Sequence, residues 1–351
     1  MGTITRGAKA GGGTNFNSGQ TIDPAEVNTD FNTIVTELNG LLDDGNLETA
    51  TLPGAKSLRF TEISAPSSPS SNDLLVYAKD LGGVSTLYTK DSAGTETALT
   101  GSSMPRSYLA GLGLSQAVDT DHDITVAAGA ARDSTNAADM VLASAITKQI
   151  DAAWAVGTNA GGLDTGAVGN ATWYHLWLIK RSDTGVVDAL FSTSVSAPTM
   201  PTSYDYRRRI GAVLTDGAAN IIAFTQVGDS FLWTTPILDL TADATEAATL
   251  RTLSVPLGVA VEAIYNVVTD WSAAEQVLYL SCPDQADVAP SQSAAPLGQL
   301  SNEGAGDQPM RQVVTRTNTS SQIRTRAIGT FDGNALNIAT LGWYDTRGRD
   351  S

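Results

Sequence analysis

Thiols and imidazoles are scarce in this chain of 351 residues, which has one cysteine, Cys282, and two histidines, His122 and His175. A single cysteine excludes a disulfide within the chain. It reads as a buried or half-buried thiol made in a reducing cytosol. Any Ser-His-Asp set would have to use His122 or His175, and neither has a G-x-S-x-G nucleophile turn beside it. Charged residues are sparse at 17%. No run approaches the roughly 18 apolar residues of a membrane span, and Met1-Gly2-Thr3-Ile4 does not open an apolar signal segment. Cations are outnumbered, 21 against 37 anions, for a formal net charge of −16. A chain of that sign attracts neither nucleic acid nor an anionic membrane surface. Phosphate-loop, dinucleotide and zinc-ligand spacings are missing too, and the glycine-rich stretch 157–169 lacks G-x-G-x-x-G order. No cofactor is expected.

What is present points to a mainly β protein. The stretch 172–180 reads Thr-Trp-Tyr-His-Leu-Trp-Leu-Ile-Lys. At period two, Trp173, His175, Trp177 and Ile179 share one face, and Tyr174, Leu176 and Leu178 share the other. Both faces are apolar, so the spacing predicts a core strand covered on both sides. Further apolar segments at 210–214, 221–227 and 231–233 are separated by Gly, Asp and Asn turns. About ten to fourteen short strands are expected after residue 105, with a short helix or turn near Asp151. The polar stretch 291–309 reads as a long loop, of the kind that carries function or stays disordered.

The N-terminal third differs. Residues 1–20 are polar and glycine-rich, and read as a flexible arm or a segment that orders on a partner. A helix is predicted over 23–42, with Asp23 as N-cap, Pro24 at the first helical position and Glu26 completing a capping-box-like pattern. Its apolar positions, Val27, Phe31, Ile34, Leu38 and Leu41, are spaced four, three, four, three, which makes a narrow seam for neighbouring copies. The alternative is a single amphipathic helix lying on the adjoining domain. Between 74 and 99, Tyr-x-Lys-Asp occurs at Tyr77 and again at Tyr88. That repeat fits a hairpin turned at Gly82-Gly83 and followed by a third strand. The expected organisation is therefore an arm and short heptad helix over 1–50, a small β-meander connector over 51–104, and a large β-sandwich or jelly-roll-like domain over 105–351, with a weaker break near residue 235.

Chemistry has few footholds. Asp119, Asp121 and Asp123 alternate as calcium ligands do. An EF-hand loop, however, needs Gly at its sixth and Glu at its twelfth position, where Ile124 and Ala130 stand. The triplet reads as a solvated loop entering a strand, with an isolated calcium site of another kind as the alternative. His175, alone on an apolar strand, reads as a core residue. Arg207, Arg208 and Arg209 read as charges protecting an edge strand, or else as a contact for an anion or an acidic glycan. Neither a catalytic nor a metal site is expected.

Three stretches carry a resemblance. Residues 22–31, followed by Leu38-Asn39-Gly40 and Asp44-Gly45-Asn46-Leu47, are similar to the virion-proximal part of bacteriophage tail-fibre and head-fibre proteins. Tyr77-Ala78-Lys79-Asp80 and residues 87–96 resemble β segments of such fibres. Thr172-Trp173-Tyr174-His175, residues 201–206, Arg208-Arg209-Ile210-Gly211 and residues 224–229 resemble a β-rich domain of tail proteins. The resemblance implies a virion protein made in the host cytoplasm and assembled as a homotrimer. It would be attached to another virion protein by its N-terminal arm, and would bind a host-surface glycan or protein through its C-terminal domain. Without a shaft repeat, a short or baseplate-proximal tail fibre fits best, and the protein is expected to bind rather than catalyse. The rivals are a polysaccharide depolymerase, which should show stacked solenoid repeats, and a capsid head-fibre or decoration protein.

Overall fold

The structure, a computed structural model, describes residues 60–80, 84–99, 103–271, 276–301, 304, 306–328 and 336–349. Asp23, Glu26 and the seam Val27, Phe31, Ile34, Leu38 and Leu41 lie outside the described residues. The described residues form strands and no helix. They divide into two units at residue 100.

The first unit is a meander of β1 (Leu75–Asp80), β2 (Ser85–Lys90) and β3 (Glu96–Ala98), paired in that order. The Tyr-x-Lys-Asp repeat sets the register, with Tyr77 opposite Tyr88 and their rings stacked at 6.0 Å. The Lys79 ammonium donates to Glu96 at 2.7 Å, and Lys90 reaches the same carboxylate at 3.4 Å. These donors, with Tyr77, hold Glu96 down at about 2. Few side chains are buried here, chiefly Tyr77, Ala78, Thr86 and Tyr88.

The second unit contains β4 (Leu109–Gly111), β5 (Leu114–Gln116), β6 (Asp123–Val126), β7 (Gly129–Arg132), β8 (Asp139–Leu142), β9 (Ile146–Ala153), β10 (Ala160–Leu163), β11 (Trp173–Arg181), β12 (Val187–Ser192), β13 (Tyr204–Leu214), β14 (Phe224–Val227), β15 (Ser230–Ala242), β16 (Thr249–Thr252), β17 (Glu262–Thr269), β18 (Val277–Ser281), β19 (Leu300–Ser301), β20 (Met310–Arg316), β21 (Gln322–Ile328) and β22 (Leu336–Tyr344). This is more strands than the spacing predicts. Asp151, expected to begin a short helix or turn, lies inside strand β9.

Four sheets result. Seven strands run β13-β11-β12-β10-β9-β6-β5, five run β14-β15-β22-β17-β20, four run β16-β21-β18-β19 and three run β4-β7-β8. Pairing is antiparallel except where β10 lies parallel to both β9 and β12. One apolar core joins all four, with Ile124 and Phe191 from the first sheet, Phe231 and Trp343 from the second, Leu278 and Ile323 from the third, and Ala131 and Met140 from the fourth. β15 passes through residue 235, with a register shift between Leu232 and Ile237. Pro236 sits in that irregular span, where a missing ladder N–H costs least.

β11 lies between β12 and β13. Tyr174, Leu176 and Leu178 enter the large core, whereas Trp177 and Ile179 join a smaller cluster with Leu190 and Tyr204. From Leu176 to Ile179 the two periodic faces of this strand thus serve two different apolar clusters. At its start Trp173 packs on Trp343 and Trp233, with ring centroids 5.6 and 5.9 Å away.

Candidate functional site

The sequence's sparse polar groups are mostly structural. β13 forms an edge of its sheet, as expected, but Arg208 and Arg209 are buried rather than solvent-facing. The β11–β13 pairing steps from Leu176 opposite Gly211 to Trp177 opposite Arg209, so Ile210 is an extra residue in β13. A one-residue bulge re-aims the side chains beyond it, and Arg209 reaches His175 on the odd face of β11. Its Nε donates to His175 Nδ1 at 3.0 Å. Its Nη1 and Nη2 donate to Asp345 Oδ1 and Oδ2 at 2.9 and 2.7 Å. Burial, then the neighbouring Arg209 charge, lowers His175 to about 3, so the imidazole is neutral and accepts from the guanidinium. Burial opposes ionisation of Asp345, but Arg209 and the Arg347 N–H outweigh it and hold the carboxyl below its ordinary range. His175 and Asp345 are 1% and 3% exposed, and the third member is an arginine where a nucleophile would have to stand. The triad ties β11 and β13 to the chain just beyond β22.

Asp119, Asp121 and Asp123 form a turn. Asp119 Oδ1 accepts from the Asp121 N–H at 3.1 Å, its Oδ2 lies 3.3 Å from His122 Nδ1, and its carbonyl accepts from the Asp123 N–H at 2.9 Å. The Asp121 N–H and then His122 hold the Asp119 carboxyl down, whereas burial, then Asp119, pushes Asp123 up. Among the described residues no group of three or more His, Cys, Asp or Glu side chains converges on a metal position.

A cleft of about 480 Å³ lies elsewhere, lined by Trp154, Val156, Arg181, Val186, Pro201, Thr202 and Tyr204. It is assembled from the residues just after β9, the turn between β11 and β12, and the approach to β13. A buried ion pair lies behind one of its lining segments. Lys148 and Asp188 face each other at 3.3 Å, each side chain 1% exposed. Lys148 also donates to the carbonyls of Ala155 at 2.5 Å and Gly157 at 3.2 Å, and Asp188 accepts from the Gly157 N–H at 2.7 Å. The pair therefore clamps the segment that carries Val156. Burial pulls the Lys148 ammonium below the usual lysine value, with Asp188 opposing.

The cleft walls are equally constrained. The Trp154 indole N–H donates to the Ala189 carbonyl at 3.0 Å, and Lys148 Nζ sits 5.3 Å from its ring centroid. Tyr204 meets Trp154 edge-on, with centroids 5.2 Å apart. Arg181 lies 5.9 Å from the Tyr204 ring and grips Asp183 with two bonds, Nε to Oδ1 at 2.8 Å and Nη2 to Oδ2 at 2.6 Å. Those bonds hold Asp183 at about 2. Burial, then the nearby Asp188, raises Tyr204. Such a wall can hold a small molecule against rigid aromatic surface without rearranging. A second groove, about 350 Å³ and lined by Leu238, Val268, Met310, Arg311 and others, runs over the five-stranded sheet. None of the described residues lining it is aromatic.

Sequence reasoning missed the cleft. Its residues are spread over some fifty positions, and only 201–206 had been singled out; Lys148 in a strand reads as a solvated position. No protein-family model matches the chain, and no curated protein is significantly similar to it.

Proposed function

We propose that this protein is a bacteriophage virion fibre component, a short or baseplate-proximal tail fibre that binds the host surface through its second unit. The resemblance over 22–47, 77–96 and 172–229 supports this reading. The observation that carries it is the pairing of a small β-meander with a large many-stranded β unit whose polar constellation at His175 is sealed in the core while a rigid cleft faces solvent. Recognition on loops held by a rigid scaffold is the usual way such a unit works. Trp173 from the seven-stranded sheet against Trp233 and Trp343 from the five-stranded sheet supports a sandwich-like stack of the two.

The N-terminal arm attaches to another virion protein, and three chains meet along Val27, Phe31, Ile34, Leu38 and Leu41. The test uses the full chain. Purified protein added to host cells should block adsorption of the phage, and an antibody against residues 101–351 should label intact particles. Light scattering should give a three-chain mass. Unlabelled particles together with unimpaired adsorption would overturn the reading.

A further inference from the structure

We propose that the cleft between Trp154, Arg181 and Tyr204 binds a neutral, hydroxyl-rich saccharide, with an apolar sugar face against its aromatic wall. The proposal deepens the host-binding reading and rests on it for its biological setting, but its chemistry can be tested without a virus.

Three features select the ligand. The volume, about 480 Å³, falls in the ~300–1,000 Å³ range of small-molecule sites, so the cleft suits a few linked rings better than a protein face. Its lining combines the half-buried Trp154, backed by the buried Tyr204, with the exposed Val156 and Val186, so one side of the ligand must be apolar. At the rim, Arg181 and Asp183 neutralise each other and are still 33% and 48% exposed.

That rim decides the charge of the ligand. A carboxylate has about four lone-pair sites and a guanidinium five N–H donors. The Arg181–Asp183 fork uses two of each. Spare guanidinium donors therefore lie beside a half-exposed carboxylate that the Thr184 and Asp183 N–H groups also approach. An anion would meet the Asp183 carboxylate and a cation the Arg181 guanidinium, whereas adjacent hydroxyls can donate to one and accept from the other. A sugar ring combines such hydroxyls with a face of C–H groups. The Lys148–Asp188 clamp and the Trp154–Ala189 bond fix the wall before the ligand arrives, which lowers the ordering cost of binding.

The experiment presents the full-length chain to an immobilised array of neutral and acidic bacterial-type oligosaccharides. The neutral oligosaccharide retained best is then titrated in solution, with tryptophan fluorescence as readout. Arg181→Ala and Val186→Glu alter a half-buried and an exposed side chain, and their melting curves check that the fold persists. The expected result is retention of neutral members, with binding weakened at least tenfold in both variants. Retention of no neutral oligosaccharide at millimolar concentration, preference for acidic ones, or a loss smaller than tenfold would overturn the proposal. The two readings fail separately. A chain that blocks adsorption but binds no neutral sugar refutes the cleft assignment alone. A chain that binds sugar through the cleft but neither labels particles nor blocks adsorption refutes the virion reading alone.

Discussion

Replacing Asp345 with alanine tests whether the second unit depends on its buried charges. The carboxylate is 3% exposed and accepts three hydrogen bonds, two from Arg209 at 2.9 and 2.7 Å and one from the Arg347 N–H at 2.7 Å. Asp345→Ala leaves the Arg209 guanidinium, itself 4% exposed, without its counter-charge. The remaining partner, His175, is neutral and supplies a single acceptor. Breaking a buried pair from one side costs about 3–5 kcal/mol, because the orphaned charge stays desolvated. For a domain of this size each kcal/mol lowers Tm by roughly 2–4 °C, so a fall of roughly 6–20 °C is expected. Arg209→Met combined with Asp345→Ala removes both charges and should recover most of the loss. The assay is calorimetric melting of wild type, both single variants and the double variant at pH 7. A fall under about 3 °C in Asp345→Ala, or a double variant no more stable than the single, would refute the view that the pair is desolvated in the fold.

Two further outcomes follow from the same core. The folded state holds His175 below its ordinary 6.5, at about 3. Its neutral form therefore contributes stability in full above pH 6.5, and that stability is lost as pH falls toward 3. Between pH 7 and 4 this amounts to about 3 kcal/mol. His175→Gln should lose that much less over the interval in chemical denaturation, and equal pH slopes for the two proteins would rule the linkage out. Gly342 sits where β22 approaches β15, and a Cβ there would collide with the Phe231 carbonyl and the Leu232 Cα. Gly342→Ala should cost about 1–3 kcal/mol by denaturant titration. Gly217→Ala, where a Cβ meets nothing within 4 Å, should stay within about 0.5 kcal/mol; equal effects at the two sites would contradict the close approach.

The parts of the fold that were legible are those where apolar periodicity and backbone geometry agree. β11 could be read because its alternation is unbroken from Trp173 to Ile179, and each face meets apolar neighbours. The β1–β2 hairpin could be read because a repeated motif places like residues opposite one another. β21 and β22 carry the same period of two in their burial, with Ile323, Ala327, Leu336 and Ile338 inside. Stretch 291–309, expected as a long loop, is loop among its described residues apart from Leu300–Ser301, and polar groups hold it in place. Gln299 accepts from the Leu280 N–H at 2.7 Å and donates to the Leu280 carbonyl at 2.6 Å, imitating a ladder partner beside β19.

The same limit explains the cleft. Hydrophobic patterning assigns a charged residue to solvent because burying an unpaired charge is prohibitive. Lys148 and Asp188, however, are buried as a pair, 40 positions apart in sequence, so each looks solvated when read alone. Arg209 and Asp345 repeat the arrangement over a separation of 136. In both cases the polar partner is supplied by another strand or by the chain beyond one, and only the folded topology brings it near. These pairs also explain how a chain with few charges can fix the wall of a candidate site. A buried charge pair tolerates little displacement, because any gap leaves its members both desolvated and unpaired. Apolar packing alone would let the segment from Ala155 to Gly157 shift at small cost. Tied through Lys148 and Asp188, it moves only if the pair opens. The sites that patterning hides are therefore those that set the shape of the candidate binding surface.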